Sequence, residues 1–225
     1  MRLPAVLLAA LLFALPVAAS ATTEVISYSP AKLMFFADSL EGEDRVDGSH
    51  YSHSVCKIGV SGGVYWTIAG FYKWTGASTF DIFPETYTIV ADPKERTSYI
   101  NTFIRVVYQD LAAALPELQR YKPDQYAGYT KGNDIIEAAF GEFHRERASI
   151  DMGPSGRGAL SVQGEHDAIA ATVSNNQLFL NRESVDFDRS LIKIEIKALP
   201  DKVGKPIAAL VVDRGVPRWL AKGRC

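Results

Sequence analysis

Residues 19–39 read ASATTEVISYSPAKLMFFADS and combine a candidate processing site with two predicted strands. The first three letters, Ala19-Ser20-Ala21, have the Ala-x-Ala pattern after which a signal peptidase cuts. Two β-rich runs follow at residues 24–29 and 33–37, with a turn signal at Pro30 between them. The second run is continuously apolar, which is typical of a strand covered on both faces. We therefore expect a buried pair of strands to begin directly after the processing site.

The residues in front of this stretch have the three regions of a secretory signal peptide. Arg2 supplies the positive charge, residues 3–15 form the apolar region, and Pro16 ends it before the small residues. This apolar region is too short for a comfortable membrane span, and no later part of the sequence approaches one. We predict a signal peptide over residues 1–21 and a single exported domain over residues 22–225, either periplasmic or secreted.

Cleavage after Ala21 would give Thr22 both a hydroxyl and a free α-amine. A hydroxyl is a nucleophile, and an α-amine with its ordinary pKa of about 7.7–8.0 is a base, so one residue would carry both parts of a nucleophilic mechanism. The hypothesis is that export itself creates the active site. Two alternatives remain open, namely a cut after Ala19 and an uncleaved leader that anchors the chain. Either of them would leave Thr22 without a free amine.

The overall composition is that of an ordinary globular protein. The 225 residues are 47% hydrophobic and 22% charged, and the net charge is -2. A chain of this length can bury one sizeable core. The balanced charge and the absence of basic runs argue against nucleic acid or an anionic membrane as a binding partner. We therefore expect no nucleic-acid partner, and no membrane association once the leader is removed.

Residues that commonly bind metals are sparse in the sequence. Cys56 and Cys225 are too few for a disulfide framework or a cysteine-based zinc cluster. They could pair in an oxidising compartment, but the sequence leaves the distance between them open. The histidines follow no metal-binding spacing; they are His50, His53, His144 and His166. We expect neither a metal nor an organic cofactor.

The rest of the chain alternates between strand and helix signals. Further strands are predicted over residues 53–60, 64–70, 135–145, 148–152, 206–213 and 218–220, and helices over residues 78–90, 100–115 and 166–174. A polar loop is predicted from residue 38 to about residue 50. Residues 184–199 fit either a strand, through their alternating isoleucines, or a helix with Ser184 as its N-cap. This order predicts an α+β fold in which two antiparallel sheets are stacked between helical layers.

An ordered set of motifs resembles the proteasome β-subunit type of N-terminal nucleophile hydrolase. Asp38 stands sixteen residues after Thr22, the spacing familiar in that family. The other motifs are Cys56-Lys57-Ile58, Thr67-Ile68-Ala69-Gly70, Val203-Gly204-Lys205-Pro206-Ile207 and Arg218-Trp219-Leu220. The resemblance implies a four-layer αββα sandwich of two antiparallel sheets between helical layers. It also implies threonine-dependent cleavage of peptide or small amide bonds, no cofactor, and a homo-oligomer such as a ring or a dimer.

The resemblance implies a role for each of four residues. Thr22 would supply the nucleophilic Oγ and, through its α-amine, the general base. Lys57 would stabilise the developing alkoxide by its charge, and Asp38 would hold that lysine. The backbone N–H of Gly70 would face the oxyanion of the tetrahedral intermediate. Independently of the family, a lysine between apolar residues of a strand is expected to be partly buried and to need a carboxylate beside it.

The sequence also departs from the family pattern. The family usually has a supporting Asp and Ser before its last strands, but Val203 occupies the Ser position and Asp201 matches only with a shift of one residue. Ser161 or Glu165 lies near the other supporting position, without a clear match. Two functions other than catalysis therefore remain open. One is a binding or interaction protein that retains the fold, and the other is a structural envelope protein.

Overall fold

The computed structural model describes residues 22–44, 50–70, 73–74, 77–78, 95, 136–144, 147–152, 160–174 and 184–225. The predicted signal peptide and the predicted helix at residues 100–115 lie outside these residues, as does all but the first residue of the predicted helix at 78–90. In chain order the strands are β1 (Thr23–Ser29), β2 (Lys32–Ala37), β3 (Leu40–Asp44), β4 (His50–Ser54), β5 (Ile58–Ser61), β6 (Val64–Gly70), β7 (Lys73–Trp74), β8 (Ala77–Ser78), β9 (Ile136–His144), β10 (Arg147–Met152), β11 (Leu160–Gly164), β12 (Ala208–Asp213) and β13 (Val216–Ala221). The helices are α1 (Asp167–Ser174) and α2 (Val185–Ala198).

The hairpin of β1 and β2 lies inside a five-stranded antiparallel sheet. Its strand order is β11-β1-β2-β12-β13. Strand β2 is buried on both faces because its apolar side chains alternate between two clusters. Leu33 and Phe35 point into one cluster, and Met34 and Phe36 point into the other. The continuously apolar run of the sequence therefore forms the central strand of the core, as predicted.

A second antiparallel sheet packs against one face of the first. Its strand order is β10-β9-β6-β5. Ile58 and Tyr65 of this sheet share a buried cluster with Leu33 and Phe35 of the first sheet. Side chains from the inner faces of the two sheets thus form one shared core, as in sheets that stack face to face. The prediction of two stacked antiparallel sheets agrees with this arrangement.

Helices α1 and α2 cover the other face of the first sheet. Leu191 and Ile192 of α2 and Ile169 of α1 pack on Met34 and Phe36 of β2. No helix among the described residues is long and apolar enough to cross a membrane. The described part of the chain thus forms a helical layer and two antiparallel sheets, which confirms an α+β fold.

The ambiguous segment at residues 184–199 is a helix. Ser184 is its N-cap, and its Oγ accepts a hydrogen bond of 3.1 Å from the backbone N–H of Phe187. Phe187 and Leu191 stand four residues apart and are both buried. This spacing matches one face of a helix, so the helix buries both side chains on the sheet.

Part of the polar segment after β2 is a strand, contrary to the predicted loop, because residues 40–44 form β3; residues 45–49 lie outside the described ranges. Residues of β3 and β4 pair as an antiparallel hairpin in which Glu41 lies opposite His53. The single strand predicted over residues 53–60 is likewise divided into β4 and β5. After Ser54 the N–H of Val55 still donates to the carbonyl of Ser39 at 2.8 Å, and β5, which pairs with β6 in the second sheet, begins at Ile58. Strands with polar side chains on both faces have no apolar alternation, so the sequence pattern missed this hairpin.

Candidate active site

Asp38 is a fully buried carboxylate at the end of β2, and four nitrogen donors surround it. Its Oδ1 accepts hydrogen bonds from the backbone N–H of Thr23 at 2.9 Å and from the Lys57 ammonium at 3.0 Å. Its Oδ2 accepts from the backbone N–H groups of Leu40 at 2.9 Å and Gly204 at 3.0 Å. A carboxylate offers about four acceptor positions, so this one is saturated and held in one orientation.

Lys57 is buried together with its charge. Its side chain is 5% exposed, and Nζ donates both to Asp38 Oδ1 and to the carbonyl oxygen of Leu40. A buried ammonium is stable only where it is paired and hydrogen-bonded, and these contacts meet that need. The residue before it, Cys56, forms a disulfide with Cys225. The disulfide therefore attaches the segment that follows β13 directly beside the lysine.

Thr22 and Thr23 lie between Asp38 and the segment that follows β11. The carbonyl of Thr22 accepts a hydrogen bond of 2.7 Å from the N–H of Glu165. Thr23 Oγ donates to the carbonyl of Glu165 at 2.7 Å, and the carbonyl of Thr23 accepts from the N–H of Asp38 at 3.1 Å. Thr22 itself is 1% exposed. The predicted nucleophile, Thr22, is followed by Thr23. The Thr23 N–H and the Lys57 ammonium both donate to Asp38 Oδ1.

Gly70 is the last residue of β6 and lies opposite Ile136 of β9. The residue before it, Ala69, approaches Thr22 through Gly164. A Cβ built on Gly164 would lie 1.9 Å from the Thr22 oxygen and 3.2 Å from Ala69 Cβ. Of the four predicted site residues, Asp38 and Lys57 are in direct contact, and Thr22 precedes Thr23, whose N–H binds the same carboxylate oxygen. Gly70 follows Ala69, whose Cβ lies near Gly164.

One of the candidate supporting residues predicted from the family pattern, Glu165, contacts Thr22. Ser161 lies in β11 opposite Ile26, and Asp201 is exposed in the turn after α2. Val203 is fully buried. Glu165 is the candidate that contacts Thr22, and it does so through its backbone. The sequence analysis included Gly204 in a motif but did not predict that its N–H binds Asp38, and it gave Gly164 no role in the site.

The described residues contain no group of three or more His, Cys, Asp or Glu side chains that could hold a metal ion. The pair formed by His53 Nε2 and Glu41 Oε2, 3.0 Å apart, joins β4 to β3. This pair contributes to the hairpin that connects Asp38 with Lys57.

The chain is similar to solved structures only at low sequence identity. No protein-family model matches the chain, and no curated protein matches it. Among solved structures it is similar to BPH of Thiobacillus denitrificans in complex with epoxomicin, with 15% identity, a TM-score of 0.43, and coverage of 85% of this chain and 98% of that one. A second structure of BPH from the same organism has 16% identity, a TM-score of 0.42, and coverage of 85% and 97%. A likeness of this strength assigns neither a family nor an activity to the chain.

Proposed function

We propose that this chain is an exported amidohydrolase of the N-terminal threonine type, with Thr22 as its nucleophile. The observation that carries the proposal is the shared oxygen of Asp38. One buried Oδ1 accepts the N–H that follows Thr22 and also the ammonium of Lys57. A fixed positive charge is thereby held beside the residue that would become the N-terminus on cleavage after Ala21.

The position of the lysine suits a hydroxyl nucleophile. A threonine hydroxyl is weak as a nucleophile until a base removes its proton and a nearby positive charge stabilises the alkoxide. At 5% exposure, the Lys57 charge is poorly screened by water, so its effect on a neighbouring oxygen is stronger than it would be at the surface. Asp38, which is itself fully buried, holds the ammonium at 3.0 Å. The pair therefore supports a role in activation beyond its structural role.

The base would be the amine of Thr22 itself. In the full chain this nitrogen is an amide and carries no basic lone pair, so removal of residues 1–21 is part of the mechanism. Thr22 Oγ would then attack the carbonyl carbon of a substrate amide while its proton passes to the α-amine, directly or through one water. Collapse of the tetrahedral intermediate would break the C–N bond, and the departing amine would take that proton. Water would next cleave the resulting ester and release Thr22 Oγ.

The proposal includes the finer features implied by the proteasome β-subunit resemblance. The fold would be a four-layer αββα sandwich, which requires a second helical layer from residues outside the described ranges. The N–H of Gly70 would donate to the oxyanion, where one such donor is typically worth about 3–4 kcal/mol. The substrate would be a peptide or a small amide, and the chain would assemble as a ring or a dimer in the periplasm or outside the cell.

The test combines the mass of the exported protein with the effect of replacing Thr22. The intact mass after export is expected to match residues 22–225. On a panel of fluorogenic peptides and simple amides, Thr22→Ala should reduce turnover to the level of a buffer blank, whereas Thr22→Ser should retain measurable turnover because it keeps the hydroxyl and the amine. The matched control is Thr172→Ala, because Thr172 Oγ donates only to the carbonyl of Ala168 within α1.

Other outcomes would overturn the proposal. A chain that begins at Ser20, or that retains its leader, would have no amine on Thr22. Turnover that persists in Thr22→Ala would assign the activity to another group. Correct processing without turnover on any amide would favour the alternative function, a binding protein that retains the fold.

A further inference from the structure

Gly164, at the end of β11, is in contact with the main chain of Thr22. Its φ is +74°, and a Cβ at this position would lie 1.9 Å from the carbonyl oxygen and 2.9 Å from the carbonyl carbon of Thr22. Real Cβ atoms do not approach backbone atoms so closely, and neither of these atoms is the flexible end of a side chain. The Thr22 carbonyl therefore occupies the space that any side chain at position 164 would need.

The next residue, Glu165, binds Thr22 and Thr23 through both of its backbone polar groups. Its N–H donates to the Thr22 carbonyl at 2.7 Å, and its C=O accepts from Thr23 Oγ at 2.7 Å. On the other side of the same peptide group, the N–H of Thr23 donates to Asp38 Oδ1 at 2.9 Å. Because a peptide group is planar, these two opposed hydrogen bonds fix the orientation of the whole plane that joins Thr22 to Thr23.

The segment is itself anchored to the helical layer. Helix α1 begins at Asp167, directly after this segment, and the N–H of Ile169 in its first turn donates to Oε1 of the fully buried Glu195 at 2.9 Å. Residues 164 and 165 are thus held between the contacts with Thr22 and Thr23 and the start of α1, which Glu195 binds. A displacement of α1 would be passed on to the Thr22 carbonyl.

We infer that Gly164 and Glu165 form a positioning clamp for the nucleophile, an inference that rests on the proposed function of Thr22. With the peptide plane held by Glu165 and Asp38, only rotations about the bonds of Thr22 itself remain. The Cα of Thr22, which lies in that plane, is then held in place relative to the Lys57 ammonium, which shares Asp38 Oδ1 with the plane, and the amine and hydroxyl can move only by rotation about ψ and χ1 of Thr22. The clamp depends on glycine at position 164 and on the Thr23 hydroxyl.

The variant that tests this inference is Gly164→Ala, and Gly63→Ala is its matched control. Gly63 has a φ of +81°, so alanine suffers the same kind of backbone strain there, but no atom lies within 4 Å of its Cβ position. The two variants therefore differ in the clash with Thr22. A misplacement of about 1 Å can cost about 100-fold in rate, so Gly164→Ala should lower kcat by about 100-fold with little change in KM, and Gly63→Ala should leave kcat unchanged.

A second pair of variants covers the case in which Gly164→Ala does not fold. Thr23→Val preserves the shape of the side chain and removes the donor to Glu165, so kcat should fall, whereas Thr23→Ser keeps the donor and should restore it. Equal kcat values for Thr23→Val and Thr23→Ser would overturn the inference. The same holds if Gly164→Ala retains the kcat of Gly63→Ala.

Hydrogen exchange at the Glu165 amide separates this inference from the proposed function. In the wild-type chain this amide should be protected by its bond to Thr22, and Gly164→Ala should lose that protection while Gly63→Ala keeps it. The exchange measurement needs no turnover and no processing of the leader. If wild type shows no Thr22-dependent hydrolysis but the exchange contrast is found, the proposed function fails and the clamp stands. If the Glu165 amide is equally protected from exchange in Gly164→Ala and Gly63→Ala, the inferred clamp is wrong, whatever the hydrolytic activity.

Discussion

Replacement of Lys57 by methionine tests the buried pair on which the candidate site is built. Methionine has a similar length and no charge, so Lys57→Met leaves the Asp38 carboxylate without one of its four donors. Removal of one member of a buried ion pair typically costs about 3–5 kcal/mol, because the other charge is left uncompensated. Three backbone N–H groups still bind Asp38, so the expected loss lies at the lower end, about 3 kcal/mol.

The assay for Lys57→Met is urea denaturation, read as the change in midpoint at constant slope. The control is Lys193→Met on the exposed side of α2, where a surface substitution should stay within about 0.5 kcal/mol. If the two variants lost the same stability, Lys57 would not be a buried partner of Asp38. On the same preparations, Lys57→Met should reduce kcat by about 100-fold or more, since it removes a charge aimed at the developing alkoxide. Unchanged kcat in the folded variant would restrict the lysine to a structural role.

Three further predictions concern the support of the site. Reduction of the Cys56–Cys225 disulfide should destabilise the chain by about 2–4 kcal/mol in urea denaturation, and a variant with both cysteines replaced by serine should not respond to the reductant. Ser184→Ala should cost about 1 kcal/mol through the lost N-cap of α2, and retention of the full unfolding free energy would rule out that cap. Glu195→Ala should destabilise the fold by about 1–3 kcal/mol because it leaves a buried backbone N–H of α1 without an acceptor, whereas Glu195→Gln keeps an acceptor and should lose less; equal losses would contradict this reasoning.

The elements that could be predicted are those with a local periodic signal. Residues 33–37 are apolar at every position and form the central strand, and residues 64–70 form β6 with the predicted bounds. The hairpin of β3 and β4 was missed because its residues are polar on both faces. Residues 184–199 could not be assigned, since both periods fit until the sheet beside them showed which face is buried.

The candidate site also contains one contact that could be predicted from the sequence and others that could not. The pairing of Asp38 with Lys57 could be anticipated, because a lysine among apolar neighbours needs a carboxylate and the end of the adjoining strand supplied one. Glu165 was considered only as one of two candidates near a supporting position, and its backbone contacts with Thr22 and Thr23 could not be anticipated. Gly164 had no predicted role, because a glycine before a helix is also typical of an ordinary turn.

The sequence by itself determined the continuously apolar run of the central strand, the bounds of β6 and the presence of a threonine behind a candidate cleavage site. Only the tertiary structure decided what surrounds that threonine. Glu165 meets Thr23 across 142 residues, and Cys225 meets Cys56 across 169. Periodicity depends on residues that are near in the chain, whereas the contacts of Glu165 use an N–H and a C=O that almost every residue possesses. The choice among so many equivalent backbone groups is made by the packing of the two sheets and the helical layer.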